Sequence, residues 1–162
     1  MRRTWAPRGH TPILHHCYRR DRVSSIAALT VSPQHRRVGL YYHLQERNIK
    51  APDVAVFVRH LLQHLRGHVV LLWDKARIHR GKPVIALCRR YKRLQVEWFP
   101  GYAPELNPVE FVWNQEKREL ANHCPVGIKE LKRKVRSSSR RIQYSQRLLW
   151  SCIWASALPW QR

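Results

Sequence analysis

The chain has 162 residues, with 31 Lys and Arg against 10 Asp and Glu, a formal net charge of +21 and a sequence pI near 11.2. That length suits one ordinary domain, and 44% hydrophobic residues exclude a disordered polyelectrolyte. The basic excess calls for a polyanionic partner, and nucleic acid fits better than a membrane because the Lys and Arg are spread along the chain.

From the amino terminus, Arg2 to Pro12 has the Pro and Gly content of a loop. Ile13 to Tyr18 is predicted as a strand, and Val23 to Val31 as a central one. Ser32-Pro33-Gln34-His35 makes a turn into a third strand, Arg37 to Leu44, so the last two form a hairpin. Ala51 to Leu65 is predicted as a helix, since Val54, Phe57, Val58, Leu61, Leu62 and Leu65 have helical spacing, with Pro52 in the first turn and Gly67 as a stop. His68 to Trp73 is an apolar run expected to be a strand buried on both faces. A helix is predicted from Gly81-Lys82-Pro83 to about Tyr91, then a strand over Leu94 to Phe99. Helices follow from Asn107 to about Ala121 and from Pro125 to about Ser138, with a weakly helical segment from Gln143 to Ala157. A hairpin followed by alternating strand and helix defines the α/β class, a mixed sheet with helices on its faces.

Two carboxylates stand out against the basic background. Asp74 falls where a buried strand runs out, the place where ligand sites gather in open α/β sheets. Its alternative role is a turn aspartate bonded to its own backbone. Glu110 is the third residue after the N-cap Asn107 and Pro108, which is also the pattern of a capping box. Carboxylates converging from a strand end and a helix start suit Mg²⁺ or Mn²⁺, which take one or two carboxylates plus substrate phosphate. His60 and His64, four apart on a helix, lie off its apolar stripe and are expected on a solvated face. His15-His16-Cys17 is a poor joint ligand set, because strand neighbours point to opposite faces. Cys17, Cys88, Cys124 and Cys152 form no CxxC pair and fit reduced thiols in a cytoplasmic protein. No apolar stretch reaches the roughly 20 residues of a membrane span, and no signal-peptide core follows Met1-Arg2-Arg3. The basic run Lys129 to Arg136 is either a solvated helix face or a phosphate-contacting one. Trp150, Trp154 and Trp160 offer stacking surfaces or packing.

Trp73-Asp74-Lys75-Ala76-Arg77-Ile78-His79-Arg80 resembles the second-acid segment of the DDE transposases of the Tc/mariner-like insertion-sequence superfamily. Phe99 to Trp113, with Asn107-Pro108-Val109-Glu110 and Trp113, resembles the third-acid segment, and Lys117 continues it. The 35 residues between Asp74 and Glu110 match the family's usual interval, and Thr4 to Pro12 is similar to the loop after its first acid. The resemblance runs from Arg3 to about Lys134. It implies a ribonuclease-H-like fold, divalent metal chemistry with Asp74 and Glu110 as ligands, and DNA as partner, both transposon ends and target. Dimers or mixed assemblies with intact transposase, and a nucleoid-associated location, are further expectations. Residues 1–142 would be the catalytic domain and 143–162 a divergent Trp-rich tail. Lys75, Arg77, Arg80, Lys82, Lys117, Lys132, Arg133 and Arg136 are candidate DNA contacts.

Three departures accompany the resemblance. The family's first Asp lies on a strand before the Trp5 loop, and Asp21 matches no motif. The family's helix-turn-helix reader has no counterpart, and Lys75 replaces a small or amide residue. The expectation is a truncated transposase, lacking its first strand and inactive as it stands. The alternative is a non-catalytic, sequence-independent DNA-binding remnant.

Overall fold

A computed structural model describes residues 8–9, 21–34, 36–121 and 125–160 of the chain. The expected strand at Ile13 to Tyr18, the Trp5 loop apart from Arg8 and Gly9, and Cys17 and Cys124 lie outside these residues.

Strands β1 (Ser24–Val31) and β2 (Val38–Gln45) form the antiparallel hairpin, Ser24 opposite Gln45 and Val31 opposite Val38. Ser32 closes the turn, its Oγ accepting the backbone N–H groups of Arg36 and Arg37 at 3.1 and 3.2 Å. Helix α1 (Ala51–His64) follows, with Pro52 in its first turn. Asp53 accepts from the Lys50 backbone N–H at 2.9 Å and from Arg47 Nη1 at 2.8 Å. Strands β3 (Val69–Trp73) and β4 (Leu94–Trp98) run parallel, joined by a 3₁₀ turn (Arg77–Arg80) and helix α2 (Lys82–Arg90). Arg93, at the entrance to β4, donates to the carbonyls of Leu62, Leu65 and Gly67. It thereby ties the end of α1 to the β3–β4 pair and satisfies carbonyls that the helix leaves free. Gly81 packs so closely on α1 that a Cβ there would stand 2.3 Å from Ala51 Cβ. Helices α3 (Pro108–Leu120), α4 (Ile128–Gln143) and α5 (Gln146–Ala155) complete the fold.

Among the described residues the strands make two separate two-stranded sheets, β1–β2 and β3–β4. One sheet is antiparallel and the other parallel, so both strand pairings of the expected mixed α/β class are present. Two apolar clusters match the two sheets. One joins α1 and α2 to β3 and β4 through Val54, Val58, Leu62, Trp73, Val84 and Leu94. The other joins β2 to α3, α4 and α5 through Val38, Leu40, Val112, Ile142, Leu149 and Ile153.

Two expectations need correction. β3 is not buried on both faces, since Val70 is 50% and Leu72 44% exposed. The helices cover only its Val69, Leu71 and Trp73 side. Helix α4 starts at Ile128, after Pro125, and runs through the serines to Gln143. Ser138 and Ser139 are buried and Ser139 Oγ donates to the buried Glu116 carboxylate, so tertiary contact overrides the weak helical preference of serine. The weakly helical segment expected over Gln143 to Ala157 forms α5, Gln146–Ala155, which packs into the second cluster. Leu149 and Cys152 are fully buried in the second cluster, and Gln146 exchanges two hydrogen bonds with the Val38 backbone at 2.7 and 3.0 Å. Gln143 Nε2 likewise donates to the Leu40 carbonyl at 2.7 Å. These glutamines satisfy the outer edge of β2, which would otherwise expose unpaired backbone groups.

Candidate functional site

Asp74 leaves the carboxyl end of β3, where the backbone is still fixed by the Phe99 N–H donating to the Trp73 carbonyl at 3.0 Å. Its Oδ1 accepts from the Ala76 N–H at 2.9 Å, so the turn aspartate weighed from the sequence is present. The same oxygen lies 2.9 Å from His79 Nδ1, and Asp74's own carbonyl lies 3.1 Å from that nitrogen. Two acceptors around one ring nitrogen require Nδ1 to carry the proton. The His79 ring is locked in turn by stacking on Trp73, centroids 4.7 Å apart and planes 4° apart. Turn, histidine and indole thus orient one oxygen of Asp74. Among the described residues Oδ2 has no partner, and the side chain is 57% exposed. Trp73 Nε1 is sealed without a hydrogen-bond partner among the described residues.

Glu110 stands on the first turn of α3. Asn107 caps that helix, its side chain accepting the Val109 N–H at 3.1 Å. The capping box is not closed: among the described residues the Glu110 carboxylate has no hydrogen bond or ion pair. The structural explanation available for a glutamate here is therefore not the one the molecule uses. The loop before α3 carries Tyr102, fully exposed with φ 57°, a left-handed backbone that costs a non-glycine residue roughly 1–2 kcal/mol.

Among the described residues no three or more His, Cys, Asp or Glu side chains lie in reach of one ion, at Asp74 and Glu110 or elsewhere. His60 and His64 are exposed as expected, on a cleft they share with His43, Tyr41 and Phe57. Cys88 and Cys152 are free thiols, and burial pushes the Cys152 thiol up to about 11, far from reactivity at neutral pH. Asp21 is exposed and precedes β1.

The basic candidates divide. Lys75, Arg77, Arg80, Lys82, Lys117 and Arg136 are exposed and without ion pairs among the described residues. Lys75, Arg77, Arg80 and Lys82 flank Asp74 in sequence and follow the same strand end. Lys132 is instead engaged by Glu46 at 3.1 Å, and Arg133 lies 3.8 Å from Glu130. Trp150 stacks on Trp154 at 5.5 Å, and Trp150 and Trp160 pack against the second cluster, so packing claims two of the three tail tryptophans. The sequence reading missed His79, which touches Asp74, and Trp98 and Arg89, which line a cleft with His79. Only His79, five residues after an acid at a strand end, carried a local signal.

The model of the DDE superfamily endonucleases matches residues 1–132, and the chain belongs to that family. Among solved structures it is similar to the Mos1 transposase paired-end complex with left transposon end, at 16% identity and TM-score 0.65 over 94% of this chain and 46% of that one. The Mos1 mariner paired-end complex with Mn gives 16% and 0.63 over the same shares. The Mos1 transposase catalytic domain with Raltegravir and Mg gives 14% and 0.52, over 86% and 85%. At these identities the likeness is one of fold, the ribonuclease-H-like α/β class. The chain spans about half the length of the Mos1 chains in the paired-end complexes. No curated protein matches it. Among the described residues no helix is long and apolar enough to cross a membrane.

Proposed function

We propose that the chain belongs to an insertion-sequence transposase and carries part of its machinery for cutting DNA and transferring the freed strand. The observation that supports this most is the state of the two acids. Asp74 is oriented at an open strand end with one oxygen free, and Glu110 is presented without partner on the first turn of a capped helix. Hard carboxylate oxygens of this kind fit Mg²⁺ or Mn²⁺. Asp74 and Glu110 would hold such ions, which when bound supply nucleophile activation and stabilise the leaving oxygen. The chain's own residues do the rest. His79 and the Ala76 N–H fix Asp74, and the Lys75, Arg77, Arg80 and Lys82 group holds phosphates. Lys117 and Arg136 extend that contact, with Lys132 and Arg133 available once their acidic partners let go.

Two adjacent divalent ions need several anionic ligands. In this reading a third carboxylate, the family's first Asp, completes the site, and residues 1–162 alone do not cut DNA at a useful rate. The test incubates the chain with Mg²⁺ or Mn²⁺ and end-sequence DNA, beside a version extended upstream to include that Asp. Cleavage by the extended version only, abolished by Asp74→Ala, is the expected result. Equal cleavage by both would remove the need for a third acid, and none by either would remove the catalytic reading.

The unpaired basic side chains support a second reading, a non-catalytic remnant that binds DNA without regard to sequence and enters mixed assemblies with intact transposase. Both readings share a salt signature. With about six to ten phosphates neutralised, affinity falls roughly 10³- to 10⁵-fold between 50 and 200 mM salt.

A further inference from the structure

Beside Asp74 lies an open cleft of about 500 Å³ between the β3–β4 pair and α2. Trp73 and Val84, 8% and 1% exposed, line its buried part, and Ile85 and Trp98, 43% and 40% exposed, line its mouth. Arg80 and Arg89 complete the lining, both exposed, and among the described residues no carboxylate does. Trp98 tilts against Trp73 with centroids 5.7 Å apart. The cleft thus offers indole faces for a flat π-system and guanidinium groups for a neighbouring anion.

We propose that this cleft takes one unpaired nucleobase of a bound DNA strand. Trp98 stacks on the base, and Arg80 and Arg89 hold the phosphates on either side of it. The proposal rests on the DNA-binding reading above and gives it a specific nucleotide site. Charge selects this occupant: both lining cations are unpaired among the described residues, in a chain of net charge +21. Aromatic faces with interleaved arginines are the chemistry that receives unstacked bases, and every base has a π-face to offer. A base inside a duplex is stacked and paired, so only an unpaired one can enter. The location adds a consequence. His79 lines the cleft, stacks on Trp73 and touches Asp74, so a base held there sits one imidazole away from the acid. Cleft occupancy therefore sets which phosphate is brought to Asp74.

The test compares two duplexes of equal length and phosphate number. One is fully paired, and the other places a thymidine opposite an abasic site. Fluorescence anisotropy of the labelled DNA gives the affinity of the full chain for each. The expected result is about tenfold tighter binding to the duplex with the unpaired thymidine, within the range that stacking on an aromatic side chain provides. Trp98→Leu should abolish the preference while leaving the fully paired duplex bound as before, and Trp98→Phe should keep it. Equal affinity of the unsubstituted chain for both duplexes would overturn the proposal and leave the cleft to an apolar peptide, with DNA binding itself intact. A preference that survives Trp98→Leu would overturn it as well. Failure to bind either duplex at low salt would instead overturn the DNA-binding reading, and the site with it.

Discussion

Around β1 and β2, three helices cover the apolar face, and Gln143 and Gln146 occupy the outer backbone edge of β2. Around β3 and β4, two helices cover one face, and Val70 and Leu72 stand open on the other. The first region is built to be stable. The second leaves apolar surface, aromatic rings and unpaired cations accessible around Asp74, as a surface that meets a ligand must. The two acids proposed to act together, Asp74 and Glu110, come one from each region. In the proposed function the sealed half holds Glu110 in place while the open half receives DNA.

Substitutions can break that comparison, and the largest effect belongs to the sealed core. Leu149 is fully buried, so Leu149→Ala should cost about 2–5 kcal/mol in urea denaturation. A cost under about 1 kcal/mol would show that α5 is not part of the core. Gln146→Ala removes both bonds to Val38 and leaves a buried N–H and C=O to find water. It should cost about 1–3 kcal/mol by the same measurement. No cost would mean that the β2 edge is already solvated.

Protonation sharpens the contrast, because each half carries a carboxylate that responds to pH in the opposite direction. Burial raises the Glu116 carboxyl above its ordinary 4.5, opposed by the Ser139 hydrogen bond and supported by the nearby Glu119 charge. Its contribution is therefore present below about pH 4.5 and lost as pH rises through the raised folded value. Arg47, then the Lys50 N–H, holds Asp53 well below its ordinary 3.8. That contribution is present above about pH 3.8 and lost as pH falls toward the depressed folded value. Glu116→Gln should stabilise the chain by about 1 kcal/mol at pH 7 and have little effect at pH 4. Asp53→Asn should flatten the acid limb of a Tm-versus-pH curve and leave the neutral limb in place. An unchanged neutral limb in Glu116→Gln would show that the buried acid is already neutralised by another route.

The smallest effect should come from the open face. Val70→Thr and Leu72→Thr, at half-exposed positions, should each stay within about 0.5 kcal/mol in urea. A loss of 2 kcal/mol or more would mean that an unseen segment covers β3.

Much of this layout was legible in the sequence, for identifiable reasons. The α1 stripe from Val54 to Leu65 and the Pro52 and Gly67 punctuation set that helix to within a residue. Asn107-Pro108 marked the start of α3, and the Trp73-Asp74 and Asn107 to Glu110 segments carried the family. What failed was local reading of residues whose role is tertiary. An apolar run such as Val69 to Trp73 does not say whether one face or two will be covered. The serines of α4 look like a helix end until Glu116 is found against Ser139. Gln143 and Gln146 pair with strand residues more than 100 positions earlier in the chain. Trp98 and Arg89 reach the cleft beside Asp74 from β4 and α2, and no spacing in the sequence joins them.

The central claim is that Asp74 and Glu110 serve one metal site. Mn²⁺ titration followed by electron paramagnetic resonance tests it without requiring turnover, on the unsubstituted chain, Asp74→Asn, Glu110→Gln and the double variant. The account predicts that each single substitution weakens Mn²⁺ binding by at least about tenfold. The double variant should be little worse than either single, because two ligands of one site do not act independently. Mn²⁺ binding unaffected by either substitution, or two losses that simply add, would contradict it.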